Sequence, residues 1–167
     1  LYNYIIIMSY PKKYIPNRLT KRDKIKQRKQ LIRSTRAYKR GKYLTRKKVD
    51  SFKSKKSQHI LNAEKIYKVK SLKIDKKLAN KTGCSINALN KLVKKGQGAY
   101  YSSGSRPNQT AHSWGMARMA SSVTGGKAAA VDYKILLEGC NKNSKALRLA
   151  KKAKKKHGYG TRRVPKV

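Results

Sequence analysis

The sequence predicts a mainly α-helical protein: a small helical core at about residues 75–140, including a helix-turn-helix-like pair, with extended basic arms. First, 45 Lys and Arg residues oppose 6 Asp and Glu residues, so the net charge is +39 and self-repulsion opposes a large compact fold. Second, apolar residues recur at helical spacing behind capping residues. Third, residues 96–126 hold only two basic residues, Arg106 and Arg118, and the single Trp, Trp114, so they can bury side chains without burying charge.

Composition divides the chain into four parts. Residues 1–19 form an extended N-terminal segment, because Pro11 and Pro16 disfavour a helix. Residues 20–57 form a basic helix and linker arm, residues 58–140 a small, mostly helical core domain, and residues 141–167 a basic C-terminal helix and tail. Met8 is a plausible start, so the sequence leaves open whether residues 1–7 are translated.

The helix of the basic arm is expected over residues 21–40. Thr20 is a suitable N-cap, Asp23 can act as the acidic partner in a variant of the capping box, and Gly41 ends the helix. Its apolar positions form a narrow stripe of Ile25, Leu31, Ile32, Ala37 and Tyr38. Because this stripe contributes little packing, we expect the helix to lie against an anionic partner. The alternative is a solvated cationic helix.

A basic linker at 42–57 leads to a short helix at 58–67, and the imperfect alternation of residues 68–74 indicates a short strand. Residues 75–96 then have the spacing of a helix-turn-helix pair. Asp75 and Ser85 can cap its two helices, Gly83 makes the turn, and Gly96 is expected to end the second helix. An αα-hairpin used only for packing fits the same spacing. The core anchors expected between the helices are Leu78, Leu89 and Leu92.

The C-terminal half is expected to add two or three helices. Thr110 can cap a helix at about 111–123, and Trp114 on it is a further predicted core anchor, because large aromatics at helical spacing usually pack in the core. Residues 127–138 fit a helix and a buried strand equally well. Asn143 or Ser144 can cap a last helix that runs to about residue 156.

The candidate functional residues are those that could bind a polyanion. Lys and Arg hold phosphates, and Asn can read base edges, so the exposed face of the second helix of the pair is a candidate for groove reading. No dimerisation signal accompanies it. The candidate polyanion-binding residues are Lys21, Arg22, Arg28, Lys29, Arg33, Arg36, Arg46, Lys47, Lys48, Asn87, Asn90, Lys91, Lys94, Lys95, Arg148, Lys151, Lys152 and Lys155.

The sequence argues against an enzyme, a metal site, a cofactor and a small-molecule substrate. His59, His112 and His157 are scattered, and no cysteine has an adjacent base. Cys84 and Cys140 are expected to be free thiols more often than a pair, because no secretory signal is evident, although the sequence leaves their pairing open. No run reaches membrane-spanning length, and only the apolar residues 1–8 leave membrane contact open.

Residues 75–133 carry a family resemblance, and a pattern at residues 104–127 lies within them. Its residues are Gly104, Arg106, Pro107, Thr110, Trp114, Ala117 and Arg118, followed by Gly125, Gly126 and Lys127. The chain resembles an uncharacterised lysine-rich family of large DNA viruses of algae and amoebae. Related stretches in tailed phages have a similar G-x-RP-x-x-T-x-x-x-W-x-x-AR pattern, and the opening from Tyr10 to Lys56 is also similar to the viral members. The resemblance implies a virus-encoded, virion-associated protein and brings no catalytic residues.

Charge and resemblance together give three functional hypotheses. The first is a structural virion protein, a minor capsid component of a large icosahedral double-stranded DNA virus. Its basic arms would bridge or stabilise capsomers from the inner side by binding capsid proteins with acidic surfaces. It would lie beneath the shell, and in the host cytoplasm or nucleus during assembly. The second is a nucleic-acid-binding protein that condenses or packages the viral genome. The third, a ribosomal-type RNA binder, fits the composition alone.

Overall fold

The structure is a computed structural model that describes residues 9–158 and 167. These residues are mainly helical, as the sequence predicts, and an isolated β-bridge joins Cys84 to Cys140. A 3-10 helix at Lys12–Tyr14 comes first. The α-helices that follow are α1 (Lys21–Tyr38), α2 (Gln58–Tyr67), α3 (Lys76–Thr82), α4 (Ile86–Ser102), α5 (Ala111–Val123), α6 (Lys127–Val131), α7 (Tyr133–Gly139) and α8 (Lys145–His157).

The described residues form two compact units. The first unit comprises residues 9–54, 101–109 and 167, and the second unit comprises residues 55–100 and 110–158. This division differs from the sequence-based one in two places. Residues 101–109 belong with the basic arm, and α8 belongs with the core rather than with a separate tail. The arm is therefore folded and not extended.

Helix α1 has the predicted N-cap but not the predicted capping box. The Thr20 hydroxyl accepts a hydrogen bond from the Asp23 amide at 3.2 Å. The Asp23 carboxylate instead accepts hydrogen bonds from the amide and the hydroxyl of Ser51, at 2.8 and 2.6 Å. The helix ends at Tyr38, slightly earlier than predicted. Ser51, which is distant in sequence, thus binds the Asp23 carboxylate that the local sequence pattern assigned to the capping box.

Residues 42–54, the strap, run beside α1 without forming a helix or a strand, and polar side chains of α1 hold the backbone of this strap. Lys26 donates a hydrogen bond to the Lys48 carbonyl at 2.9 Å. The Gln30 amide group bonds both the carbonyl and the amide of Lys47. Because these polar positions recur three or four residues apart, they share one face of the helix. The predicted apolar stripe did not reveal this face.

A partly buried and a fully buried amide side chain complete the first unit. Asn108 accepts a hydrogen bond from the Val49 amide at 2.8 Å and donates to the carbonyls of Val49 and Phe52, at 3.0 and 2.6 Å. Gln27, which is 1% exposed, donates to the Tyr14 carbonyl at 3.1 Å. These bonds satisfy backbone groups that would otherwise lie buried and unpaired.

The predicted apolar stripe of α1 is only partly buried. Leu31 and Ala37 are buried, whereas Ile25 is 57% exposed. Gly104, with φ +98°, lets the 101–109 segment approach the buried part, because a Cβ at Gly104 would lie 2.7 Å from Leu31 Cδ2. The close approach and the left-handed backbone together require glycine at this position.

We expect the stability of the first unit to fall at acidic pH through Asp23. The hydrogen bonds from Ser51 hold the pKa of Asp23 below its usual value. A carboxylate with a lowered folded-state pKa contributes stability that is present above its unfolded-state pKa, near 4. That stability is lost as the pH falls through the folded-state pKa.

Amide hydrogen exchange in α1 across acidic pH checks this expectation. In Ser51→Ala, the stability of the first unit should depend less on acidic pH. The substitution removes the hydrogen bond from the Ser51 hydroxyl to Asp23 and keeps the one from the backbone amide. Ser54→Ala, at an exposed position of the same strap, should behave like the wild type. Equal acid dependence in Ser51→Ala and the wild type would contradict the assignment.

The core of the second unit is formed by α2 to α8. Helix α5 packs against α2, α6 and α8, and α8 also packs against α6 and α7. Ala146, Ala150 and Ala153 place small side chains on the buried face of α8, so this helix can approach closely. The predicted anchors from the helix pair lie in this core, and its largest fully buried side chains are Leu78, Leu89, Leu92, Met119, Val123, Leu136 and Leu147.

Helices α3 and α4 begin at the predicted caps. The Asp75 carboxylate accepts a hydrogen bond from the Leu78 amide at 2.7 Å, and the Ser85 hydroxyl accepts one from the Ala88 amide at 3.1 Å. Gly83 lies in the turn with φ +73°, the left-handed region that favours glycine. The local signals of this pair therefore identify its starts and its turn.

The prediction that Gly96 ends the second helix of the pair is wrong, because α4 continues to Ser102. A Cβ at Gly96 would lie 2.5 Å from the Cα of Gly115, and a Cβ at Gly115 would lie 2.6 Å from the Val93 carbonyl oxygen. These glycines mark the point where α4 and α5 approach each other most closely. Gly96 thus serves packing and not helix termination.

Trp114 is not the core anchor that the sequence predicts. It is half-buried, whereas Met119, Ala120 and Val123 of the same helix are fully buried. Trp114 shares the partly exposed side of α5 with Ala117 and Arg118, whereas the neighbouring Gly115 lies on the buried side with Met119. Helical spacing alone does not show which side of a helix enters the core.

Cys84 and Cys140 form a disulfide, so the expectation of free thiols is wrong. Residues on both sides of the two cysteines exchange backbone hydrogen bonds of 2.8 Å in an antiparallel bridge. The disulfide therefore joins the turn between α3 and α4 to the end of α7. The two cysteines are 56 residues apart, and nothing in their local sequence indicates that they are neighbours.

The sequence predicted a short strand at residues 68–74 and either a helix or a buried strand at residues 127–138. Residues 68–74 form no strand; the Leu72 amide there donates to the Glu64 carboxylate at 3.1 Å, which fastens the segment to α2. Residues 127–138 form two short helices, α6 and α7, separated by Asp132. Ser144 is the cap of α8, because its hydroxyl accepts a hydrogen bond from the Leu147 amide at 3.2 Å.

Candidate polyanion-binding surfaces

The outer face of α1 carries one set of predicted cations in the first unit. Positions 22, 29, 33 and 36 recur at helical spacing, so their side chains lie along one side of the helix. This side also carries the exposed Ile25. The exposed candidates are Lys21, Arg22, Lys29, Arg33 and Arg36, while Arg28 is half-buried.

Of the three predicted cations in the strap, two are exposed and one is used by the fold. Arg46 Nη1 donates to the Ser34 hydroxyl at 2.9 Å, and Arg46 Nη2 donates to the Ser105 hydroxyl at 2.8 Å. Arg46 is therefore a structural residue as well as a candidate. Lys47 and Lys48 have exposed side chains above a backbone that α1 holds in place.

The exposed face of α4 carries the predicted polar set in the second unit. Asn87, Asn90, Lys91 and Lys94 are all exposed. Lys95 is also exposed, but its ammonium lies 3.2 Å from a carboxylate oxygen of the buried Asp132. Lys95 is thus partly neutralised within the chain, and the other four remain the better candidates for a partner.

Helix α8 is the most clearly two-sided cationic helix. Its buried side carries alanines and Leu147, which pack in the core. Its outer side carries cations at relative positions 0, 3, 4 and 7, the spacing of a single helical face. These exposed residues are Arg148, Lys151, Lys152 and Lys155.

A buried charge cluster in the second unit was missed by the sequence analysis. Arg118 Nε and Nη2 donate to the two carboxylate oxygens of Asp132, each at 2.8 Å, and the Ser122 hydroxyl donates to the same carboxylate at 3.2 Å. Asp132 is 1% exposed. Arg118 is one of the two basic residues in residues 96–126, but the other, Arg106, is exposed, so the sequence did not distinguish the role of Arg118.

Buried or paired groups nearby show shifted pKa values for physical reasons. The Tyr67 hydroxyl donates to the Val123 carbonyl, and burial raises the pKa of Tyr67. The Lys56 ammonium hydrogen-bonds to Glu64 at 2.6 Å and lowers the pKa of Glu64. Both interactions tie α2 to its surroundings.

The described residues of each unit also include a groove of about 400 Å³. The groove of the second unit, the α4–α5 groove, lies between the segment before α3 and the helices α4 and α5. The groove of the first unit is lined mainly by apolar side chains with basic neighbours. Its lining residues are Ile15, Asn17, Lys24, Ile25, Arg28, Lys29, Ile32 and Val167.

Within residues 9–158 and 167, no three His, Cys, Asp or Glu side chains come together as a metal-binding group. No helix in the same residues combines the length and the apolar character needed to cross a bilayer.

The fold and these surfaces define a small, strongly basic, mainly α-helical protein whose two units each present cationic helix faces. A family model described as "Family of unknown function (DUF5824)" matches residues 11–157, and the chain belongs to this family. No curated protein and no solved structure matches the chain.

Proposed function

We propose that this chain is a structural protein of a virus particle, a minor capsid component that binds acidic surfaces on the inner side of the shell. The observation that carries the proposal is the charge imbalance. With 6 acidic side chains against 45 basic ones, most cations have no countercharge on the chain, whatever the pairing. A partner of opposite charge relieves that self-repulsion.

The distribution of the cations supports a bridging role. The α1 face belongs to the first unit and the α8 face to the second, so each unit carries its own binding surface. Two surfaces on one chain can bind two acidic sites, and linking them raises the overall affinity. The assignment to a virus particle rests on the sequence resemblance at residues 104–127 and 10–56.

Nucleic-acid binding is the second candidate function, and the exposed face of α4 favours it. Asn87 and Asn90 lie there beside Lys91 and Lys94, in a helix that follows a short turn. Asn side chains can pair with adenine edges and Lys side chains with phosphates. In this case the protein would condense or package the genome.

Fractionation of disrupted particles separates the two candidates. A capsid component should remain with emptied shells after nuclease treatment and leave them as salt rises, since screening weakens exposed charge contacts. Reversing the α8 charges, with Lys151→Glu and Lys152→Glu, should reduce retention, whereas Asn87→Ala with Asn90→Ala should not. Release with the genome, or loss of binding only in the Asn variant, would contradict the capsid assignment and favour the second candidate.

A further inference from the structure

The α4–α5 groove combines an apolar floor with polar walls, and neither function above uses it as a pocket. Its volume is about 420 Å³. Leu72 and Val93 of the floor are buried, and Ile74 and Met116 are partly buried and pack against the core. Because the core holds these side chains from behind, the floor is preformed and not assembled by a ligand.

Polar side chains stand around this floor. Asn90, Lys94 and Gln97 are four and three residues apart on α4, so they share the helix face that borders the groove. Lys73 lines the groove from the segment before α3, and His112 lines it from the first turn of α5. Two amides and two ammonium groups therefore border one apolar surface.

We propose that this groove binds one unpaired nucleotide of a single-stranded nucleic acid. The base would lie on the apolar floor, with its edge at the amides of Asn90 and Gln97 and its phosphate at Lys73 and Lys94. A nucleotide has three chemically different parts, an apolar ring face, a hydrogen-bonding edge and an anion, and the groove offers a surface for each. Amides present a donor and an acceptor together, as base edges require, and Lys is a common phosphate ligand.

Other anionic partners fit the groove less well. An acidic peptide would use the ammonium groups but has no hydrogen-bonding ring edge for the two amides. A base in a duplex is stacked and paired, so its faces cannot reach the floor. The high positive charge of the chain favours a phosphate backbone on either side of the bound nucleotide. The proposal does not depend on the capsid assignment, which shell fractionation tests separately.

Fluorescence anisotropy of the full chain with three probes tests the proposal. The probes are a short single-stranded oligonucleotide, an abasic strand of the same length and a duplex of the same sequence. The base-bearing single strand should bind about fivefold or more tightly than the abasic strand, because the base buries apolar surface against the aliphatic floor. Asn90→Ala with Gln97→Ala should remove this difference and leave the affinity for the abasic strand, which has no base for the amides, unchanged.

Lys151→Ala with Lys152→Ala is the matched control, because both residues are exposed on α8 and outside the groove. This variant should weaken binding of all three probes and flatten its salt dependence, but it should keep the base-dependent difference. Met116→Glu is a second test in case the amide variant is poorly folded. It places a negative charge on the floor and should also abolish the difference between the base-bearing and abasic strands. Equal binding of base-bearing and abasic strands by the wild type would overturn the proposal. A difference that survives in the amide variant and in Met116→Glu would overturn it as well.

Discussion

Replacing Arg118 with Ala should lower the free energy of unfolding of the second unit by about 3–5 kcal/mol, the usual cost of breaking a buried ion pair. The carboxylate of Asp132 is 0% exposed, and Arg118 supplies two of its hydrogen bonds. Without Arg118, only Ser122 and the half-exposed Lys95 remain of the partners described above. The buried charge then loses most of the interactions that offset its desolvation. Urea denaturation measures the effect.

Two variants make this result specific. Lys134→Ala removes the exposed pair with Glu138, whose side chains are 86% and 62% exposed, and should change stability by less than about 0.5 kcal/mol. Arg118→Met combined with Asp132→Leu leaves no buried charge and should recover much of the lost stability. If Arg118→Ala costs no more than Lys134→Ala, the buried cluster does not stabilise the fold.

Removing the disulfide between Cys84 and Cys140 should cost the second unit about 4 kcal/mol. The bond joins residues 56 apart, so it removes a large share of the conformational freedom of the unfolded chain. Denaturation with and without a reductant measures the difference in the wild type, and Cys84→Ser with Cys140→Ser should match the reduced protein and ignore the reductant.

The regions in which removal of the disulfide accelerates amide exchange provide the control. Amide exchange should accelerate in α3 and α7, whose adjoining ends the bond connects, while exchange in α1 of the first unit should be unaffected. A wild type whose stability does not respond to the reductant would contradict the pairing, as would two titratable thiols in the native protein.

The local features of the fold could be predicted from the sequence, because their causes lie within a few residues. Thr20, Asp75, Ser85 and Thr110 each accept the capping hydrogen bond expected of them. Each of these bonds depends on a side chain and an amide three residues away. The mainly helical class follows from the same short-range signals.

Features that depend on distant residues could not be predicted. Gln30 of α1 binds the strap and Gln27 donates to the Tyr14 carbonyl, yet both look like ordinary surface residues in the sequence. Gly96 illustrates the same limit, since a glycine that ends a helix and one that admits a neighbouring helix look alike until the neighbour is known. The disulfide is a third case.

The exposure of the candidate cations could be predicted better than the composition of the core, because an unpaired Lys or Arg must remain in water wherever the helix packs. The cations of α8 and most of those of α1 are exposed, as expected. Arg46 and Lys95 differ from the other candidates because each has a partner within the chain. The fold brings two hydroxyl groups to Arg46 and a buried carboxylate to Lys95, all from residues distant in sequence.

Reconstruction of the virus particle tests the central claim most directly, namely that an acidic body into which the chain is built neutralises its surplus cations. We predict density for both units at symmetry-related positions under the shell, with the outer faces of α1 and α8 against acidic surfaces. Absence from those positions, or cationic faces that point into open solvent, would contradict the claim.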